Sequence, residues 1–137
     1  MAEVIVFILI GPRLVDTLGP GGAAAIASMA AILRWIVMAS STNPGALAIV
    51  QPLHGMTFAL LHLACMRLMG AAVPQHLAAT GQAIYALGPG LTTALLTLSS
   101  GMLYARLGAT GFLLMALLSA LALPLCSGLK ISGRRSN

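Results

Sequence analysis

An ionisable side chain inside a strongly apolar helix costs several kcal/mol, so it marks a place where chemistry or an internal partner compensates. The sequence has three such residues, Glu3, Arg34 and His54. Together they supply a carboxylate, a guanidinium and an imidazole. Such a trio can attract an anionic group and exchange a proton, because desolvation and neighbouring charges move the pKa of a carboxylate or imidazole. It can equally serve insertion alone, with Glu3 and Arg34 neutralising one another and His54 as a neutral hydrogen-bond partner.

The stretch "QPLHGMTFALLHLACMRLMG", residues 51–70, surrounds His54. Gln51, His54, Gly55, Phe58, His62, Cys65 and Met69 recur there at steps of three and four, which places them on one helix face. That face mixes polar and small residues, and is expected to point to protein or a cavity rather than lipid. Pro52 removes a backbone hydrogen bond near mid-span, which is tolerated where a helix lines a cavity. His62 is predicted to bond a neighbouring helix, and Arg67 to mark the membrane interface.

The elements that must position these residues follow from composition. The chain has 137 residues, 59% hydrophobic and 7% charged; soluble domains are roughly 45–50% apolar and about 25% charged. The expected class is therefore an all-α polytopic membrane bundle, with the lipid bilayer as its surroundings. The basic residues are scattered rather than clustered, which reads as topology and not as a nucleic-acid footprint. Cys65 and Cys126 lie in apolar segments and read as inert thiols. No nucleotide loop, metal cluster or catalytic triad is present, so neither an enzyme nor a bound cofactor is expected. "MAEVIVFILI" does not read as a signal peptide, having no basic n-region.

Crossing a core of about 30 Å takes about 20 helical residues. Four segments approach that length, at 22–41, 45–69, 81–103 and 108–128. A fifth, 2–12, is about half as long and reads as the end of a truncated helix. Turn chemistry separates them at "GPRLVDTLGPGG" (11–22), "SSTNPG" (40–45), "GAAVPQH" (70–76) and "ARLGATG" (105–111). Such short connections predict that sequential helices are antiparallel neighbours. "GPG" at 88–90 would kink its helix, as a flexing gate or simply for close packing, with Thr92, Thr93, Ser99 and Ser100 able to satisfy freed backbone groups. The single tryptophan and two tyrosines are too few to define an aromatic belt.

Arg13, Arg67, Lys130, Arg134 and Arg135 flank one side of the spans and Arg106 the other. This bias puts the C-terminus, with a basic tail at 129–137, in the cytoplasm of a multi-pass inner (plasma) membrane protein. Counted from the loops, Arg34 and His54 fall at similar depth on adjacent helices, with Glu3 within reach of a long arginine side chain.

"EVIVF", "LRW" at 33–35, "QPLHGMTFALLHLACMR", "GQAIYALGPG" and "GMLYARLG", in this order, resemble the C-terminal part of a major facilitator superfamily transporter. The branch is that of 3-phenylpropionate and nucleoside proton symporters and, more distantly, lactose permease. The resemblance implies helices eight to twelve of a twelve-helix fold, with the first cut short. It also implies a proton as coupling ion and a small organic solute as substrate, of the aromatic acid, nucleoside or sugar class. Glu3, Arg34 and His54 match the carboxylate, arginine and histidine of lactose-permease-like symporters. Thr57 stands where their proton-carrying carboxylate would be and Gln51 where a lysine would be, which leaves Glu3 or His54 as proton carrier. With Phe58, these residues form the expected solute and proton site.

In that fold two bundles hold the solute between them, so activity is expected to need an N-terminal bundle or self-association. Two other readings stay open. One is a membrane remnant or interaction subunit that transports nothing; the other is a small self-associating four-helix transporter.

Overall fold

The computed structural model describes residues 11–129. Glu3, most of the 2–12 segment and Lys130 onward in the basic tail lie outside the described residues. Those described form helices and no strand: α1 (Gly11–Ser40), α2 (Pro44–Ala72), α3 (Ala78–Leu107) and α4 (Phe112–Cys126). Short 3₁₀ turns at Gln75–Leu77 and Gly108–Gly111 bracket α3.

Most of the expected 11–22 connection is helical. The break narrows to Gly19, whose φ of 71° and ψ of 171° lie outside the helical region. Before it, the Thr17 hydroxyl donates to the carbonyls of Arg13 and Leu14 and caps the short helix on itself. After it, Pro20 restarts the helix where a missing N–H costs nothing. From there α1 presents a face of small residues, with Ala23, Ala24, Ala27 and Ala30 buried. Against it α2 packs Leu60 and Ala64, and Val15 completes the cluster. Small residues let two backbones approach closely, which is how helices associate in a medium as apolar as themselves.

At the head of α2, Asn43 accepts a hydrogen bond from the Gly45 N–H at 2.8 Å through its side chain, with Pro44 behind it. Both are strong helix-start signals. The far end stops at Val73, whose N–H still reaches the Met69 carbonyl, and Pro74 cannot continue the helix.

The expected chain of antiparallel neighbours holds for α1 and α2 and then gives way. α2 and α3 meet sparsely, and α3 carries no buried residue. α4 takes α1, not α3, as its main partner. The reason is local: Gly108 has φ 56°, and the 3₁₀ turn that follows redirects the chain. Phe112 then stacks on Trp35 of α1, ring centroids 5.7 Å apart and planes 20° from parallel, while Tyr104 closes on Phe112 at 6.5 Å. Trp35, Tyr104 and Phe112 thus gather at one end of the bundle, a cluster that the count of tryptophan and tyrosine, too small to define an aromatic belt, does not show.

By length and composition three helical stretches can cross a membrane: α1, α2 and residues 75–126, which contain α3, the Gly108 turn and α4. The segment at 108–128, expected as a fourth full-length span, is a helix of 15 residues led by a 3₁₀ turn.

The far end of α4 seats on Gly21. A Cβ there would stand 2.6 Å from the Cys126 carbonyl oxygen and 2.8 Å from that of Leu129, and backbone cannot swing aside. Gly21→Ala should therefore lower the thermal unfolding midpoint in detergent, by overpacking worth about 1–3 kcal/mol. Gly101→Ala, where a Cβ meets nothing within 4 Å, should not. Equal midpoints for the two variants would contradict the seat.

Candidate functional site

The two faces of α2 divide their work. Gly55, Ala59, Leu60 and Ala64 are buried, whereas Gln51, His54 and Phe58 are exposed. The mixed polar stripe read from the sequence is therefore largely turned away from α1, and only Gly55 joins the buried set. Thr57 is half-buried, and its hydroxyl donates to the His54 carbonyl at 2.8 Å. This bond turns the hydroxyl back onto its own helix.

Arg34 continues the α1 face of Ala23, Ala27 and Ala30 at helical spacing and is half-buried. Its guanidinium lies over the Trp35 ring at 4.0 Å, and Nη1 is 3.9 Å from the Met38 sulfur. The Nε atom is buried with no hydrogen-bond partner. An aromatic face and a thioether are soft neighbours that tolerate a cation without neutralising it. No hydrogen bond or ion pair joins Arg34 to His54 among the described residues. Stepping from the Ser41–Asn43 turn at about 1.5 Å per residue, Arg34 is level with Val50 and Gln51, and His54 lies about one turn deeper.

Farther along α2, His62 stacks on Phe58 with ring centroids 5.9 Å apart and planes 10° from parallel. Across to α3, the Tyr85 hydroxyl is 3.5 Å from His62 Nδ1, with ring centroids 6.0 Å apart. His62 thus meets a neighbouring helix. Tyr85 was not singled out in the sequence. Its one local signal is Pro89 four residues on, which deprives the Tyr85 carbonyl of its helical donor.

A second charged site escaped the sequence reading. Arg67 Nη1 of α2 and Asp16 Oδ1 of α1 form an ion pair at 2.5 Å, with both side chains about half exposed (52% and 53%). Asp16 lies in the 11–22 stretch whose composition reads as a connection, so the sequence does not show its helical register against Arg67. The signal was present in the opposite charges at similar distances from the 41–43 turn. The pair borders a cavity of about 760 Å³ that also touches Gly19, Pro20, Gly21 and Cys126. Cys65 and Cys126 are free thiols, and no cluster of metal-ligating side chains occurs among the described residues.

The model of the MFS_1 like family matches residues 1–115. The chain belongs to that family. It is also 34% identical over 120 residues to the probable 3-phenylpropionic acid transporter of Escherichia coli (strain K12). The match covers 87% of the chain and 31% of that protein, so the chain spans about a third of its relative's length. No solved structure matches. Membership in the MFS_1 like family makes this a multi-pass membrane protein of a transporter lineage rather than an enzyme.

The half-exposed Asp16–Arg67 pair is worth little energetically, because partly solvated ion pairs typically contribute 0.2–1 kcal/mol, roughly. A double-mutant cycle with Asp16→Asn and Arg67→Gln, read by thermal unfolding, should give a coupling below about 1 kcal/mol. A coupling of several kcal/mol would show that the pair is buried in the membrane-embedded protein.

Proposed function

We propose that the chain forms one wall of a proton-coupled secondary transporter for a small organic anion, with an aromatic acid as the best supported solute. The observation that carries this reading is the uncovered polar face of α2. Gln51 and His54 are exposed on a helix that is otherwise apolar, and lipid cannot satisfy an amide or an imidazole. A face of that kind belongs to a water-filled or solute-filled cavity. The similarity to the probable 3-phenylpropionic acid transporter of Escherichia coli supports the choice among the aromatic acid, nucleoside and sugar classes.

In this reading Arg34 attracts the solute's carboxylate. Its guanidinium has soft neighbours and, among the described residues, no acidic partner. Asp16, the other acid of the chain besides Glu3, is engaged by Arg67. Glu3 or His54 exchanges the proton, Gln51 and Thr57 contribute polar contacts, and Phe58 an apolar one. A second helical bundle, or a second copy of the chain, closes the open face of α2, because alternating access needs two bodies rocking about a shared site. The unit sits in the inner membrane with its C-terminus cytoplasmic, in keeping with the bias of basic residues to that side.

Proton-driven uptake of 3-phenylpropionate into membrane vesicles tests this. Uptake should collapse on adding a protonophore, and Arg34→Ala should reduce it by more than about tenfold, the loss expected on removing one charged partner of a bound carboxylate. His54→Gln and Glu3→Gln identify the proton carrier: the variant that retains solute exchange but loses accumulation marks it. Wild-type rates in Arg34→Ala would remove Arg34 from the site.

A further inference from the structure

Phe58, His62 and Tyr85 gather three rings where α2 faces α3. Phe58 is 59% exposed, and it shares its face with Gln51 and His54, which are also exposed. In the proposed reading that polar face lines the solute site, so the Phe58 ring borders it rather than the acyl chains. His62 extends this wall one turn along, with its ring nearly parallel to Phe58. Tyr85 contributes a second wall from α3, tilted 53° to His62. The walls meet where α2 and α3 approach one another, about three turns of α2 before the Val73–Pro74 turn.

We infer that Phe58, His62 and Tyr85 form an arene seat, holding the ring of an aryl carboxylate whose acid group reaches toward His54. This assignment rests on the proposed role of the α2 face. Aromatic rings prefer offset-stacked or edge-to-face neighbours with centroids about 4.5–7 Å apart, and a corner of one near-parallel pair and one tilted ring offers both geometries. Spacing supports the rest. His54 and Phe58 lie one turn apart, about 5–6 Å along the axis. A two-methylene tether of C–C bonds of about 1.5 Å puts a carboxylate roughly that far from its ring. A ring seated at Phe58 therefore brings the carboxylate level with His54, one turn from the depth of Arg34. A benzoate, with no tether, would fall short.

The seat predicts discrimination by aromaticity rather than by greasiness. Binding of 3-phenylpropionate and of its saturated analogue 3-cyclohexylpropionate would be measured by equilibrium dialysis, with the protein in lipid nanodiscs. The arene should bind about three- to tenfold more tightly than the cyclohexyl acid, the factor that ring–ring contacts add beyond buried area. Phe58→Leu and Tyr85→Leu should each bring that ratio toward one, and Phe58→Tyr should restore it. Phe58 is exposed enough that its substitution leaves the fold intact, so the ratio remains readable if Tyr85→Leu does not fold. A ratio near one in the native protein, a preference that survives Phe58→Leu, or no binding of either acid would overturn the seat. Arene-selective binding without proton-driven uptake would remove the transport reading and leave the seat standing. Uptake with no arene preference would do the reverse.

Discussion

Close approach between α1 and α2 is the constraint on which the other elements depend. Within a bilayer, burying a leucine against another helix gains little over burying it in lipid, so helices are held by dispersion between well-fitted surfaces. The alanine face of α1 provides that fit, with Leu60 and Ala64 set into it. Once the two helices are locked, several other placements follow. Asp16 reaches Arg67 because the register is fixed. Arg34 falls level with Gln51, and the polar side of α2 is turned outward because the opposite side is occupied.

Electrostatics then sorts the charges. The acid near the start of α1, Asp16, is answered by Arg67 of α2. Arg34, near the other end of α1, has an aromatic ring and a sulfur and, among the described residues, no carboxylate beside it, so its charge is held there without being cancelled. The same bundle thus contains a neutralised ionic contact and a cation kept available, separated by about eighteen residues of α1. Exposure distinguishes them as well: the paired side chains are about half uncovered by the protein, whereas Arg34 Nε is buried.

Much of this was legible in the sequence, for identifiable reasons. The all-α membrane class follows from composition, and helix ends such as Asn43–Pro44 and Val73–Pro74 are written in local chemistry. The stripe around His54 shows directly as a period. What could not be read is tertiary. The glycines and proline of 19–22 look like a loop, and only the seat of α4 shows that one residue breaks the helix while another admits a carbonyl. Tyr85 is an ordinary residue until α3 is placed beside His62. Asp16 needed the register of two helices before its partner was apparent. The order of neighbours failed for a similar reason: a short connection limits where the next helix begins, but Gly108 and the Phe112–Trp35 stack decide which surface it joins. Glu3 lies outside the described residues, so its place beside Arg34 rests on the family resemblance and on depth.

The seat of α4 at Gly21 also orders events in time. The chain leaves the ribosome from its N-terminus, so α1 and α2 can pair while later helices are still being made. The groove at Gly21 then waits, because the carbonyls that fill it belong to residues more than a hundred positions later. Until Cys126 and Leu129 emerge, the broken neck of α1 has no support on that side. Synthesis of the far end of α4 is thus also the step that braces α1, and a ribosome stalled before α4 would leave α1, α2 and α3 in the membrane with the neck of α1 open.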